Sequence, residues 1–209
     1  MTKQIGKLHV ITDTVLQSRF SHIEQAKLAI RGGADTIQFR QKSGSTREMI
    51  ANSQRIKRLC AEAGVLFIVN DRLDVAIAAE ADGVHLGQDD FPAPLARRLF
   101  GKGKIIGGSA AILDEALKCY EDGVDYVGFG PIFTTSSKED AGPVSGIEKL
   151  KEVVKAIPVP IIAIGGITPE NTPDVLEAGA AGIAVISAVC SAPNPEAATQ
   201  QLLQALQRS

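Results

Sequence analysis

The sequence has almost no surplus of charge of either sign. It contains 22 lysine and arginine residues against 24 aspartate and glutamate residues, which gives a formal net charge of −2. Proteins that hold nucleic acid or an anionic membrane by their overall charge carry a basic surplus. We therefore expect neither as a partner, and we expect any anionic ligand to be held by a local group of cations.

Long apolar runs and paired cysteines are also missing. Segment 1–6 lacks the apolar stretch of a signal peptide, and no apolar run approaches the roughly 20 residues that span a bilayer. The three cysteines, Cys60, Cys119 and Cys190, fit neither a zinc site nor a disulfide framework. These absences predict a cytoplasmic protein with reduced, buried thiols. Because no linker or low-complexity tract interrupts the chain, residues 1–209 are expected to form one domain.

What the sequence does contain is a series of short apolar runs, each followed by a longer amphipathic segment. Most runs are rich in β-branched residues, which suits strands covered on both faces, as in a parallel sheet. The runs are Leu8–Ile11, Thr36–Phe39, Val65–Val69, Gly83–Leu86, Lys104–Ile106, Tyr126–Phe129, Ile161–Ile164 and Ile183–Ile186. Eight such units predict an α/β fold, the single-domain (β/α)8 TIM barrel. A doubly wound open sheet is the alternative, although it usually uses fewer units and needs a topological switch point.

Signals for helix ends agree with this interpretation. Gly64, Gly123 and Gly179 follow amphipathic segments, where a left-handed residue is expected to end a helix. Thr168 followed by Pro169 is typical of a capping residue and a first helical turn. We therefore predict that a helix begins there.

Polar residues come directly after the apolar runs, where the active sites of (β/α)8 barrels lie. After the second run, the alternation of a strand sends Gln38, Arg40 and Lys42 to one side. Lys138 follows the sixth run in a hydroxyl-rich segment, 134–138. One charge pair at about 4 Å contributes roughly 4 kcal/mol before desolvation costs. Three cations with amide and hydroxyl donors around them therefore predict a site for a polyanion.

Two carboxylates, Asp71 and Asp90, follow neighbouring strands and indicate a metal ion beside these cations. Mg²⁺ usually takes one or two carboxylates together with phosphate oxygens of the substrate. A diphosphate shared by Mg²⁺ and several cations accounts for both groups at once. Taken alone, Asp71 next to Arg72 is also typical of a solvated salt bridge, so the prediction depends on the common position at the strand ends.

A second anion site is indicated after the last two strands. Gly165 and Gly166 follow the seventh run and Ser187 follows the eighth, in loops that often bind phosphate through backbone N–H groups. A Gly-Gly pair is equally typical of a tight turn. Ser109 is interpreted either as a pocket residue or as a turn or cap residue. His85, inside the fourth run, is interpreted as lining the barrel rather than as a base.

The segments most specific for function are Gln38–Lys42, Asn70–Arg72 and Asp82–Asp90, supported by Gly130–Phe133 and Ala163–Thr168. Together they resemble the thiamine-phosphate synthase family, also called thiamine-phosphate pyrophosphorylase. The likeness runs from about Leu8 to Ala205, nearly the whole chain. It implies a transferase of thiamine biosynthesis on a TIM barrel. Such an enzyme joins hydroxymethylpyrimidine diphosphate to hydroxyethylthiazole phosphate, or to its carboxylated form, and releases diphosphate.

The resemblance also implies a role for each site residue. Contacts to the diphosphate are implied for Gln38, Arg40, Lys42, Asn70 and Lys138. Asp71 and Asp90 would hold Mg²⁺. The pyrimidine or phosphate pocket would be lined by Ser109, Thr135 and Ser137. The thiazole phosphate would bind Gly166, Ile186 and Ser187.

The mechanism implied by the resemblance is dissociative. The C–O bond to diphosphate breaks and leaves a pyrimidine methylene cation, which the thiazole nitrogen then attacks. The enzyme must stabilise the charge that grows on the leaving diphosphate, and this makes Arg40, Lys42 and Lys138 the implied catalytic residues. A neutral ring nitrogen needs no general base.

Three positions depart from the family pattern. Ala111 stands where members usually carry histidine, Thr134 replaces a proline, and Ser137 replaces a second threonine while keeping a hydroxyl. The histidine supplies proton transfer in the related thiazole tautomerase branch, so Ala111 favours the synthase over that alternative. A non-catalytic regulatory relative on the same barrel stays open, and so does assembly into a homo-oligomer.

Overall fold

The structure, a computed structural model, describes residues 5–135, 137 and 142–208. The strands form one closed parallel barrel in the order β1-β2-β3-β4-β5-β6-β7-β8. The predicted TIM barrel is thus confirmed, and the open sheet is excluded. The strands are β1 (Leu8–Thr12), β2 (Thr36–Phe39), β3 (Leu66–Asn70), β4 (Gly83–Leu86), β5 (Ile105–Ala110), β6 (Tyr126–Phe129), β7 (Ile161–Ile164) and β8 (Gly182–Val185).

Helices alternate with the strands and cover the outside of the barrel. They are α1 (His22–Arg31), α2 (Thr46–Ala63), α3 (Leu73–Ala78), α4 (Ala93–Phe100), α5 (Leu113–Glu121), α6 (Gly146–Ala156), α7 (Thr172–Glu177), α8 (Ser187–Cys190) and α9 (Pro195–Arg208). The short helix α8 lies between β8 and α9, which packs against α1 and α7. Within the described ranges, no helix has both the length and the apolar character needed to cross a membrane.

Two apolar layers hold the barrel together. The larger one fills the space between strands and helices, and it explains why most strand residues are apolar on both faces. The smaller one fills the inside of the barrel with Ile11, Ile68, Ile105, Tyr126, Ile162, Ala184, Ile186 and Cys190. Because side chains close the interior, ligands can enter only from a rim. The three cysteines are buried and free, as predicted.

The helix ends follow the local signals in most places. Gly64, Gly123 and Gly179 have positive φ angles of 70°, 76° and 96° after α2, α5 and α7. The predicted helix start at Thr168 is wrong, because α7 begins only at Thr172. Asn171 explains the delay, since its side chain accepts from Thr168 N at 2.8 Å and donates to Gly166 O at 2.9 Å. The four residues before α7 therefore form a separate turn.

Strand β5 extends beyond its apolar run and includes two glycines. A Cβ on Gly107 would lie 2.3 Å from Tyr126 Cζ and 2.5 Å from His85 Nδ1, and a Cβ on Gly108 would lie 2.7 Å from Cys119 Sγ. The glycines are thus needed because neighbouring side chains occupy their space on both faces of the strand. The predicted strand end at Ile106 was too early, and Ser109 lies within β5 rather than after it.

We predict that Gly107→Ala destabilises the protein, because its new methyl group would meet the buried Tyr126 ring and His85. Overpacking of this kind costs about 1–3 kcal/mol of unfolding free energy, which urea denaturation measures. Gly103→Ala is the matched control, since a Cβ there meets nothing within 4 Å. Equal stability of the two variants would contradict the packing described for β5.

Candidate active site

A cavity of about 440 Å³ lies at the rim formed by the carboxyl ends of the strands. Its volume falls within the range of small-molecule sites. The predicted site residues that line it are Gln38, Arg40, Lys42, Asn70, Asp71, Asp90, Ser109, Thr135, Ser137, Gly166, Ile186 and Ser187. The remaining predicted residue, Lys138, lies outside the described residues. Side chains from distant parts of the sequence thus share one cavity, as the strand-end rule predicts.

An ion pair joins β2 to β3 at this rim. Lys42 Nζ lies 2.5 Å from Asp71 Oδ2, and the Lys42 side chain is 51% exposed. A pair with this exposure adds little to stability, so the lysine can move to an anionic ligand at small cost. The neighbouring Arg72 does not join the site, because it pairs with Asp74 at 2.6 Å and donates to Thr46 Oγ1.

The two predicted metal ligands lie side by side. Asp71 has a φ angle of +65°, in the left-handed region that aspartate tolerates better than most residues. Asp90 Oδ2 accepts a hydrogen bond from Gly87 N at 2.6 Å. Burial raises the pKa of Asp90 and the adjacent negative charge of Asp71 raises it further, whereas the Gly87 N–H and Lys42 lower it. Two close carboxylates with this mutual effect form a site that favours added positive charge.

This pair of carboxylates fits Mg²⁺ in its chemistry. Hard oxygen ligands suit the ion, which commonly takes one or two carboxylates and completes its shell with water and substrate phosphates. No group of three or more histidine, cysteine, aspartate or glutamate residues that could hold a metal occurs in the described part of the chain. The pair itself supplies two hard oxygen ligands, and Mg²⁺ at such a pair commonly completes its shell with water and substrate phosphates.

Arg40 is fixed by a carboxylate that the sequence analysis missed. Its Nη1 donates to Asp13 Oδ2, and the two side chains are only 10% and 1% exposed. The other Asp13 oxygen accepts from Val15 N at 2.7 Å and Leu16 N at 3.0 Å. Arg40 Nε is buried and has no hydrogen-bond partner among the described residues. Asp13 thus holds one edge of the guanidinium, which keeps further donors for a ligand.

Where the loop after β6 meets the end of β8, three hydroxyl groups are linked by hydrogen bonds. Thr135 Oγ1 donates to Ser137 Oγ at 3.2 Å, and Ser137 Oγ donates to Ser187 Oγ at 2.7 Å. Ser187 is the first residue of α8. These contacts bring the loop after β6 to the end of β8, where the second anion site is predicted.

The Gly-Gly pair after β7 has a structural reason as well as a predicted ligand role. Gly165 and Gly166 have φ angles of +96° and +66°. A Cβ on Gly165 would lie 2.5 Å from Pro131 Cβ, and one on Gly166 would lie 2.6 Å from Thr134 O. The two glycines therefore have a structural reason, and the same close packing keeps the backbone at the cavity wall, where phosphate binding stays a prediction.

Two further polar side chains reach the cavity from inside the barrel. His85 lies between Tyr126 and Ser109, with Nδ1 2.9 Å from Tyr126 Oη and Nε2 2.8 Å from Ser109 Oγ. His85 therefore lines the barrel, as predicted, and its Nε2 contacts Ser109, a predicted site residue.

Two positions that depart from the family pattern differ in their surroundings. Ala111 lines the cavity, where it contributes only a methyl group, whereas Thr134 is exposed.

Comparisons with known proteins agree with the resemblance. The family model described as thiamine monophosphate synthase matches residues 8–189. The thiamine-phosphate synthase of Salinibacter ruber is 52% identical over 204 residues, which cover 98% of this chain and 90% of that protein. That of Methanocella arvoryzae is 50% identical over 195 residues, covering 93% and 92%. A solved thiamine phosphate pyrophosphorylase from Pyrococcus furiosus has a TM-score of 0.89 and 42% identity, covering 97% of this chain and 96% of that one.

We predict that Asp13→Asn destabilises the protein because it leaves the Arg40 guanidinium without its counter-charge. Removing one partner of a buried ion pair costs about 3–5 kcal/mol of unfolding free energy. Asp74→Asn is the matched control, since its pair with Arg72 is exposed and should contribute about 1 kcal/mol or less. If urea denaturation gave the same small loss for both variants, the anchoring role of Asp13 would be wrong.

Proposed function

The chain belongs to the thiamine monophosphate synthase family, and from this we infer that it is a transferase that makes thiamine phosphate. We propose that it joins hydroxymethylpyrimidine diphosphate to a hydroxyethylthiazole phosphate and releases diphosphate. The observation that carries the proposal is the gathering of Arg40, Lys42, Asp71 and Asp90 in one cavity. Cations next to paired carboxylates suit a diphosphate shared with a divalent metal.

The proposed diphosphate site uses the ends of β2, β3 and β4. Arg40 and Lys42 supply positive charge, while Gln38 and Asn70 supply amide donors on the same wall. When the C–O bond breaks, negative charge grows on the leaving diphosphate, and preorganised donors stabilise that state more than the ground state. Lys138 is proposed to add a third cation from the loop after β6.

Asp71 and Asp90 are the proposed ligands of Mg²⁺. When bound, the ion supplies positive charge that stabilises the leaving diphosphate. The chain's own contribution is to hold the carboxylates together, through the left-handed backbone of Asp71 and the Gly87 N–H that binds Asp90. Lys42, which contacts Asp71 Oδ2, is proposed to turn toward the substrate when the metal binds.

The thiazole phosphate is proposed to bind the part of the cavity formed after β7 and β8. Gly166, Ile186 and Ser187 line the cavity there, close to the hydroxyl chain of Thr135 and Ser137. Two anionic ends held on opposite walls would place the reacting carbon and nitrogen between them. Apolar residues of the barrel interior, including Ile11 and Ile162, line the same cavity and would help to exclude water, which would otherwise capture the methylene cation.

A diphosphate-release assay tests the proposed activity. Purified protein is mixed with Mg²⁺ and both substrates, and diphosphate release is followed with and without the thiazole phosphate. Thiazole-dependent release supports the synthase. Isomerisation of the carboxylated thiazole phosphate alone would instead assign the tautomerase reaction. Binding of either substrate without turnover would assign a regulatory protein.

We predict that Lys42→Ala and Asp71→Asn each lower turnover by about tenfold or more, because each removes an interaction with the leaving group or its metal. Circular dichroism should show an intact fold, since Lys42 is half-exposed. Lys118→Ala and Asp122→Asn are matched controls, because they break a surface ion pair associated with α5. Near-normal turnover in both site variants would remove the diphosphate assignment.

We also predict that activity requires a divalent cation. Chelation with EDTA should abolish diphosphate release, and added Mg²⁺ should restore it. Asp90→Asn should raise the Mg²⁺ concentration needed for half-maximal activity by about tenfold or more, since even outer-shell partners change metal affinity by roughly 10–100-fold. Full activity in EDTA would show that the two carboxylates serve another purpose.

A further inference from the structure

A chain of three polar side chains runs from the barrel interior to the cavity. Tyr126 Oη lies 2.9 Å from His85 Nδ1, and His85 Nε2 lies 2.8 Å from Ser109 Oγ. All three residues line the cavity. Tyr126 is 1% exposed and His85 is 8% exposed, so this hydrogen-bonded series begins in the core and ends at Ser109, a proposed substrate-binding residue.

Three neighbouring strands position these hydrogen-bonded side chains. Tyr126 comes from β6, His85 from β4 and Ser109 from β5, the strand that lies between the other two. Gly107 and Gly128 leave the space that the rings occupy, since a Cβ on either would lie 3.0 Å or less from a ring atom of His85. The rings therefore have little freedom to turn.

The direction of the hydrogen bonds follows from the tyrosine. Burial raises the pKa of Tyr126 far above its usual range, so the phenol keeps its proton. His85 Nδ1 is the acceptor that the structure gives this hydroxyl among the residues it describes. An imidazole whose Nδ1 accepts a hydrogen bond carries its proton at Nε2. His85 Nε2 thus donates to Ser109 Oγ, and the hydroxyl hydrogen of Ser109 must point away from the histidine.

We propose that Tyr126 and His85 are positioning residues that fix the Ser109 hydroxyl as a hydrogen-bond donor to an oxygen of the leaving diphosphate. This inference rests on the proposed function. β5 lies next to β4, which precedes Asp90, so Ser109 adjoins the proposed diphosphate site. A donor stabilises the negative charge growing on the leaving group. Aimed at the pyrimidine ring, the same donor would withdraw electrons from the methylene cation and slow the reaction.

A double-mutant cycle tests the proposal. Ser109→Ala should lower kcat by about tenfold or more, on the scale of a lost oxyanion donor, with a smaller change in KM for the pyrimidine diphosphate. Tyr126→Phe, which removes only the buried hydroxyl, should lower kcat by roughly threefold to tenfold because His85 can then change its tautomer. Adding Tyr126→Phe to Ser109→Ala should cause no further loss. Losses that multiply in the double variant would overturn the proposal.

Two substitutions of His85 give an independent readout. His85→Gln keeps an N–H donor in the region of Nε2, so it should retain most of the turnover. His85→Leu keeps bulk but no donor, and it should lose as much kcat as Ser109→Ala. Equal turnover in the two His85 variants would overturn the donor role, even if Tyr126→Phe failed to fold.

Controls separate this inference from the proposed function. Thr199→Val removes a different buried hydroxyl, which lies in α9 outside the barrel and donates to Pro195 O, and its kcat should be unchanged. If the wild-type chain releases no diphosphate with both substrates, the proposed function fails and the inference fails with it. If the wild type is active but the cycle is additive, the inference alone is wrong.

Discussion

The proposed site depends on two carboxylates, Asp71 and Asp90, that lie close together at one rim of the barrel. Burial raises the pKa of Asp90 and the nearby charge of Asp71 raises it further, whereas Lys42, which follows β2, pairs with Asp71 and offsets part of that charge. Like charges repel, and the backbone holds these two together: Asp71 directly follows β3 with a positive φ angle, and Asp90 accepts from Gly87 N after β4. A cation between the two carboxylates is therefore proposed to stabilise the site, and that cation together with Lys42 is proposed to bind the polyanion.

The rest of the fold keeps this charged group in place. Interior side chains close the barrel below the cavity, and Asp13 anchors Arg40 from the end of β1. Glycines in β5 and β6 leave room for the His85 and Tyr126 rings, which lie next to the charged wall. The proposed methylene cation would need such surroundings, because rigid donors act without reorganisation and excluded water cannot intercept the cation.

Much of this arrangement could be predicted because parallel barrels impose simple rules on sequence. Strands covered on both faces appear as apolar runs, and the polar residues that follow them meet at one rim, so the shared cavity of Arg40, Lys42, Asp71 and Asp90 could be predicted. Asp13 follows the first run, so the same rule indicates it, but its pairing with Arg40 depends on closure of the barrel. The extent of β5 could not be predicted, since Gly107 lacks the apolar side chain that marks a strand. The delayed start of α7 depends on contacts of Asn171 with the preceding turn.

A crystal structure with Mg²⁺ and a non-reactive analogue of the pyrimidine diphosphate tests the central claim most directly. The account predicts one metal ion between Asp71 and Asp90, diphosphate oxygens on that ion and on Arg40, and Lys42 Nζ moved from Asp71 to the ligand. A diphosphate bound at another face, or Lys42 still paired with Asp71 and no metal beside the carboxylates, would contradict it.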